Sequence, residues 1–304
     1  MAAPGTLWRQ VCMGEQTVMP ALTTFAEPPA AARPRRVPAL ERARGEARVA
    51  FRFDGSTRLT ENFQSGCAKV RFPTVFGDAP AEIVLLNTAG GLTGGDRVSF
   101  TVTAEARTRV SVSTQAAERI YRALEGDAEV TTRLTAAAGA SLDWLPQETI
   151  LFDRSALRRR LDADVHPSAR LLAAEAIVLG RAAMGESVRS VRLHDTWRVR
   201  RGGRLVFADG LRVDGDSVTL LSGQSTGAGA AALATVLLVA PDAEASLERA
   251  RAALADADCE AGVSAWNGML VARLLAADGY ALRATLTRLI ETLRGGTMPR
   301  TWTC

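Results

Sequence analysis

Arg97-Val98-Ser99-Phe100-Thr101-Val102-Thr103-Ala104-Glu105-Ala106-Arg107-Thr108-Arg109-Val110-Ser111-Val112 carries an apolar side chain at every even position but Thr108, and Arg, Ser, Thr or Glu at the odd ones. Successive side chains of a strand point to opposite sides, so this alternation specifies strands with one buried face. Its length predicts two of them, joined near Arg107. Outward from it, Asp195 to Leu211 reads as a hairpin: Trp197 and Val199 alternate with Arg198 and Arg200, Gly202-Gly203 supplies a tight turn, and Leu205-Val206-Phe207 returns. Glu82 to Leu86, Ala140 to Trp144, Leu157 to Val165 and Leu171 to Leu179 are further short strand candidates, separated by Gly, Pro and Asp.

The C-terminal quarter changes period. After Pro241-Asp242, which suit a helix start, Leu247, Ala250 and Leu254 recur at three and four residues. Val263, Trp266, Leu270 and Leu274 mark a second helix, and Leu282, Leu286, Leu289, Ile290 and Leu293 a third, stopped by Gly295. Strands followed by helices predict a segregated α+β arrangement, because a parallel βαβ sheet would interleave them. The expectation is one mainly β domain over 46–304, with strands over 46–240, a small helical layer over 241–295 and a tail over 296–304. Residues 1–45, rich in Ala, Pro and Arg and without periodicity, read as a flexible arm.

Composition narrows the function. The 304 residues are 47% hydrophobic and 23% charged, which excludes a disordered, collagenous or coiled-coil chain. The continuous part, Ala228 to Ala240, of the longest mostly apolar stretch is too short to span a bilayer, and the first thirty residues lack a signal-peptide pattern, so a cytoplasmic protein is expected. Cys12, Cys67, Cys259 and Cys304 form no CxxC pair, and His166 and His194 are the only imidazoles, so no zinc knuckle, redox dithiol or histidine-rich store is encoded. Lys69 is the only lysine; basic means arginine here. The basic stretches, Arg33 to Arg58 and Arg158-Arg159-Arg160, are not interleaved with stacking aromatics and read as solvated faces, with no nucleic acid as partner.

Gly90-Gly91-Leu92-Thr93-Gly94-Gly95-Asp96 invites a phosphate-loop reading, but Asp96 stands where such a loop needs Lys, and the next segment alternates as a strand instead of opening a helix. It is a sharp glycine turn feeding a strand, with Asp96 offered to a cation path or a partner. Gly227-Ala228-Gly229 lacks the βαβ surroundings of a dinucleotide site and reads as glycine beside a buried strand, while Ser222 and Ser225 occupy no GxSxG. Glu148, Glu175, Glu186 and Asp209 follow or interrupt apolar stretches; Glu175, inside Ala174-Glu175-Ala176-Ile177, is the sharpest case. An acid on such a strand faces solvent, pairs with an Arg or lines a polar interior. With Asp96 these acids offer hard oxygen ligands without thiolate or imidazole, which suits weak transit of a divalent cation better than storage.

The blocks Gly90-Gly91 to Gly94-Gly95-Asp96, Thr114-Gln115-Ala116-Ala117-Glu118-Arg119-Ile120-Tyr121-Arg122 and Trp144-Leu145-Pro146-Gln147-Glu148 to Phe152 occur in an order that resembles the UreD (UreH) family of urease accessory proteins. Leu179-Gly180-Arg181 to Gly185-Glu186, Arg204-Leu205-Val206 to Leu211, and Leu293-Arg294 through Pro299-Arg300 to Trp302 continue the resemblance across nearly the whole chain after the arm. The chain departs from the family at Asn87-Thr88-Ala89, where many members carry prolines. The resemblance implies a β-helix-like stack of short strands with a few helices. It also implies a non-catalytic scaffold that binds apo-urease, recruits UreF and through it the GTPase UreG, and conducts nickel, a transient Ni2+ cargo with no tightly bound cofactor. By motif it places Asp96, Glu175 and Asp209 along the nickel passage; Glu148 and Glu186 join them on local motif and chemistry. The C-terminal helices and tail are the candidate UreF face. The alternative is a β-helical carbohydrate-active hydrolase using paired carboxylates, Glu148 with Asp153 as acid and base.

Overall fold

The computed structural model describes residues 41–75, 77, 79–181 and 185–303. The expected arm lies outside them for residues 1–40, and its last two residues already begin the first strand. Glu41 onward forms one compact unit of two stacked sheets.

The chain builds the sheets by crossing between them. After β1 (Arg44–Phe53), β2 (Thr57–Gly66) and β3 (Ala68–Arg71), it lays β4 (Ala81–Asn87) in the second sheet, β5 (Arg97–Ala104) in the first and β6 (Arg109–Thr114) back in the second. A three-residue β7 (Glu118–Ile120) precedes β8 (Ala128–Ala136) in the first sheet and β9 (Ser141–Leu145) in the second; a short β10 (Thr149–Leu151) precedes β11 (Ala156–Val165) and β12 (Arg170–Leu179), again one for each sheet. β5, β8, β11 and β13 (Ser190–Arg201) pair in parallel on one side, and β4, β6, β9 and β12 on the other. Each crossing adds one rung to each sheet, and the result is a mainly β, solenoid-like stack. The alternating segment 97–112 runs through one such corner. Arg107 adopts a left-handed φ of 65°, and Val98, Phe100, Val102 and Ala104 before it and Val110 and Val112 after it all face the core between the sheets.

β13 and β14 (Arg204–Asp216) form the expected hairpin around Gly202-Gly203 at the edge of the first sheet. All four short strand candidates are strands within a residue of the expected bounds. After α1 (Ser217–Ser222) comes β15 (Ala232–Val239), the buried strand expected beside Gly227-Ala228-Gly229. α2 (Leu247–Leu254) follows as expected, but the second expected helix is a β-hairpin, β16 (Glu260–Trp266) and β17 (Met269–Ala276). The reason is physical: Asn267 and Gly268 both hold positive φ, 52° and 74°, the requirement of a two-residue turn that splices antiparallel strands. β17 is apolar on both faces, so its even residues Leu270 and Leu274 imitate a helical spacing while packing toward the helices, and Met269 and Val271 face the inter-sheet core. β12 is two-faced in the same way, with Leu171, Ala173 and Ile177 in the inter-sheet core and Leu172, Ala174 and Ala176 under the helical layer.

α3 (Gly279–Arg294) begins at Asp278, whose carboxylate accepts the Tyr280 and Ala281 amides, and stops at Gly295 with a φ of 69°. Beyond it the tail turns back onto the second sheet. Trp302 donates its indole N–H to the Leu145 carbonyl at 2.9 Å, Gln147 donates to the Thr301 carbonyl at 2.7 Å, and Arg283 donates to the Trp302 carbonyl at 2.8 Å. Among the described residues no helix is long and apolar enough to cross a membrane. Because Trp302 is buried and closes the helical-layer core, Trp302→Ala is expected to cost about 3 kcal/mol in urea unfolding at unchanged slope.

Candidate functional site

Inward and outward positions alternate along β11 and β13, and each strand sets a charge at an inward position: Arg159 in the series Leu157, Arg159, Leu161, and Asp195 in the series Leu193, Asp195, Trp197. Parallel pairing puts the two side by side. Arg159 grips Asp195 as a fork, Nε to Oδ1 at 3.1 Å and Nη2 to Oδ2 at 2.6 Å, and its Nη1 donates to Thr149 Oγ1 at 3.2 Å. From the facing sheet, Glu175 brings Oε2 to within 3.3 Å of Arg159 Nη2. Glu175 also accepts both neighbouring indoles, Trp144 Nε1 at 2.9 Å and Trp197 Nε1 at 3.2 Å. Exposures of 6%, 7% and 5% for Arg159, Asp195 and Glu175 place the cluster well inside the protein. Burial works to lower the Arg159 pKa, but Asp195 and Glu175 more than reverse it and the guanidinium stays charged. Burial pushes the Glu175 carboxyl above its ordinary value, opposed by Arg159 and helped by Asp195.

Two cavities meet this cluster. One, of about 170 Å³, is lined by Asn87, Glu118, Trp144, Gln147, Arg159 and Glu175, among others. The second, of about 180 Å³, is lined by Arg159, Glu175, Asp195, Trp197, Asp209 and Arg273, among others. Arg159 and Glu175 belong to both linings. Asp209, on β14, pairs with Arg273 of β17 at 2.7 Å and so ties the two sheets together at the second cavity.

The five acids singled out in the sequence are not brought together. Glu175 and Asp209 share the second cavity. Asp96 lines neither of these two cavities: its buried carboxylate accepts the Thr93 amide, which closes its own turn, and the Ala43 amide just before β1, each at 2.8 Å. Glu148 pairs with Arg283 of α3 at 3.1 Å beside a small pocket under that helix, and Glu186 pairs with Arg181 at 2.9 Å. Asp153, the expected partner of Glu148 in an acid–base pair, accepts the Arg189 and Ser190 amides, and neither acid lines either of these two cavities. Among the described residues no three His, Cys, Asp or Glu side chains are grouped to hold a metal ion. The glycine run is a site of close backbone approach: Gly91 has a φ of 143°, and a Cβ there would lie 2.8 Å from the Arg119 carbonyl and 2.3 Å from the Tyr121 ring.

Three functional candidates escape sequence reasoning. In sequence Arg159 reads with Arg158 and Arg160 as a solvated basic face; Arg158 and Arg160 are exposed, while Arg159 turns inward. The strand phase set by Leu157, Leu161 and Ala163 carries that signal, and the phase of Trp197 and Val199 does the same for Asp195. Glu118 lies at the first cavity, where Asn87 Nδ2 reaches both of its oxygens at 3.1 Å. Its position next to the exposed Arg119 gives no hint that it is half-buried at a cavity.

The sequence signature described as "UreD urease accessory protein" matches residues 43–303. The urease accessory protein UreD of Rhizobium etli is 51% identical over 264 residues, covering 86% of this chain and 96% of that protein. The proteins of the same name from Agrobacterium fabrum and Xanthobacter autotrophicus are 46% and 47% identical, again over 86% of this chain and over 92% and 90% of theirs.

Burial, opposed by the Asn87 and Arg119 hydrogen bonds, pushes the Glu118 pKa from 4.5 to about 7. Between those values the folded chain holds a proton that the unfolded chain has lost, so this group's stabilisation is complete below the lower value and gone above the upper one. Glu118→Gln is therefore expected to match the parent chain near pH 4 and to exceed its stability by about 1–3 kcal/mol at pH 8. Urea unfolding at the two pH values measures this; equal pH slopes in both chains would show that folding leaves the Glu118 pKa unshifted.

Proposed function

Because this chain belongs to the UreD family of urease accessory proteins, we propose that it serves urease maturation as a non-catalytic scaffold and nickel conduit. In this reading it binds apo-urease, recruits UreF and through UreF the GTPase UreG, and passes nickel as transient cargo in the cytoplasm, with no tightly bound cofactor of its own. The observation that carries the conduit is the pair of cavities meeting at Glu175, the second of which also exposes Asp195 and Asp209 to its space. Its ionisable ligands are carboxylates, without thiolate or imidazole, and hard oxygens bind a divalent ion reversibly enough to release it.

The residues divide the work. Glu175 and Asp209 face the passage, each already paired with an arginine, Arg159 and Arg273, so an arriving cation competes with a guanidinium and is held weakly. Asp96 shapes the glycine turn, Glu148 anchors α3 through Arg283, and Glu186 fixes the segment after β12 through Arg181. They support the passage walls instead of lining them. The C-terminal helices remain the proposed UreF face. The inward-docked tail holds α3 in place through Arg283, so its contribution to that face is indirect.

Affinity capture of the tagged chain from cells co-expressing urease and its accessory proteins is expected to recover urease with UreF and UreG; recovery of none by a folded, well-expressed bait would sink the scaffold reading. Asp209→Asn, at the partly exposed end of the cavity, is expected to leave those complexes intact and to lower nickel incorporation into urease three- to ten-fold, measured as metal content and urea hydrolysis. Normal activation by both Asp209→Asn and Glu175→Gln would remove the conduit.

A further inference from the structure

We propose that Glu175 and Asp195 form a divalent-cation station in the interior, and that Arg159 occupies it as an internal stand-in cation which the cargo displaces. The proposal rests on the conduit reading and specifies how the cluster common to both cavities works. Arg159 Nη2 lies 2.6 Å from Asp195 and 3.3 Å from Glu175, so one guanidinium nitrogen sits between the two carboxylates. One guanidinium thus faces two carboxyl groups, and the three members are more than nine-tenths buried. Thr149 Oγ1, now accepting from Arg159, adds a neutral oxygen to the same spot.

The rest of the cluster is built to stay when the guanidinium moves. Two indole N–H groups hold Glu175 from both sheets, Trp144 from the second and Trp197 from the first. Arg159 borders both cavities, so open space adjoins it in each. A small dication at this point meets carboxylate oxygens from two sheets. A vacated site with no cation would bury two carboxylates with nothing but indoles to oppose them, which is unfavourable, so the arginine returns once the ion leaves. Exchange of one cation for another keeps the interior compensated throughout and makes the site self-emptying.

The test removes the stand-in. Arg159→Met in the full chain removes the charge and keeps an unbranched side chain of similar volume that stops short of the guanidinium. Equilibrium dialysis against Ni2+ is expected to show about one ion per chain, bound at least ten-fold more tightly than by the parent. Arg159→Lys restores weak binding, and adding Asp195→Asn to Arg159→Met abolishes the gain. Unchanged affinity in a folded Arg159→Met chain, or a gain that survives Asp195→Asn, overturns the station. Should Arg159→Met not fold, Trp fluorescence of the parent decides: saturable quenching by Ni2+ that disappears in Asp195→Asn supports the station, and identical quenching in both overturns it. Failure here combined with defective urease activation by Asp209→Asn would leave the conduit standing without the station. Normal activation by Asp209→Asn and Glu175→Gln would remove the conduit whatever the dialysis shows.

Discussion

A guanidinium cannot sit between two β-sheets without carboxylates around it, and the fork from Arg159 to Asp195, closed by Glu175 from the facing sheet, is the constraint around which this protein's interior is arranged. Breaking a pair of this kind by removing one partner costs about 3–5 kcal/mol, whereas replacing the whole set with apolar side chains is often neutral. Stability therefore gives little reason to keep three charges in a core built mainly of aliphatic and aromatic side chains. What the charges do contribute is position: they pin β11 to β13 within the first sheet and both to β12 across the core.

The solenoid-like stack makes such a cluster possible. Because the chain alternates between sheets, residues far apart in sequence come to the same height on opposite walls. Trp144 and Glu175 on one wall meet Arg159, Asp195 and Trp197 on the other. The corners that allow the crossings are local and inexpensive, such as Arg107 and the glycine run around Gly91, where backbones touch and no Cβ fits. Asp96 belongs to this corner chemistry: one amide bond, from Thr93, closes the turn and the other, from Ala43, ties it to the start of β1.

The helical layer covers the other face of the second sheet, which explains why β12, β15 and β17 are apolar on both sides. Arg283 is its hinge pin, reaching Gln147, Glu148 and the Trp302 carbonyl, so α3, the tail and the segment between β9 and β10 are fastened at one point. Gln147 also lines the first cavity, so α3 is fastened to that cavity's wall.

Residue order alone determined the strands with one wet face, the hairpin at Gly202-Gly203, the last helix with its Gly295 stop, and the family, because alternation, turn chemistry and ordered blocks are local properties. It misjudged 263–274, because a strand buried on both faces has no period and borrows a helical one by accident; the Asn267-Gly268 pair was the better guide. It singled out Glu175 as an acid among alanines, and the phase of β11 and β13 held Arg159 and Asp195 in plain view. Only the tertiary structure decided which acids share a space. Whether a carboxylate faces a cavity, a backbone amide or an arginine depends on what the opposite sheet places there, and that partner lies dozens of residues away along the chain. Hence Glu175 and Asp209 meet one cavity, while Asp96 accepts backbone amides, Glu148 pairs with Arg283 and Glu186 with Arg181.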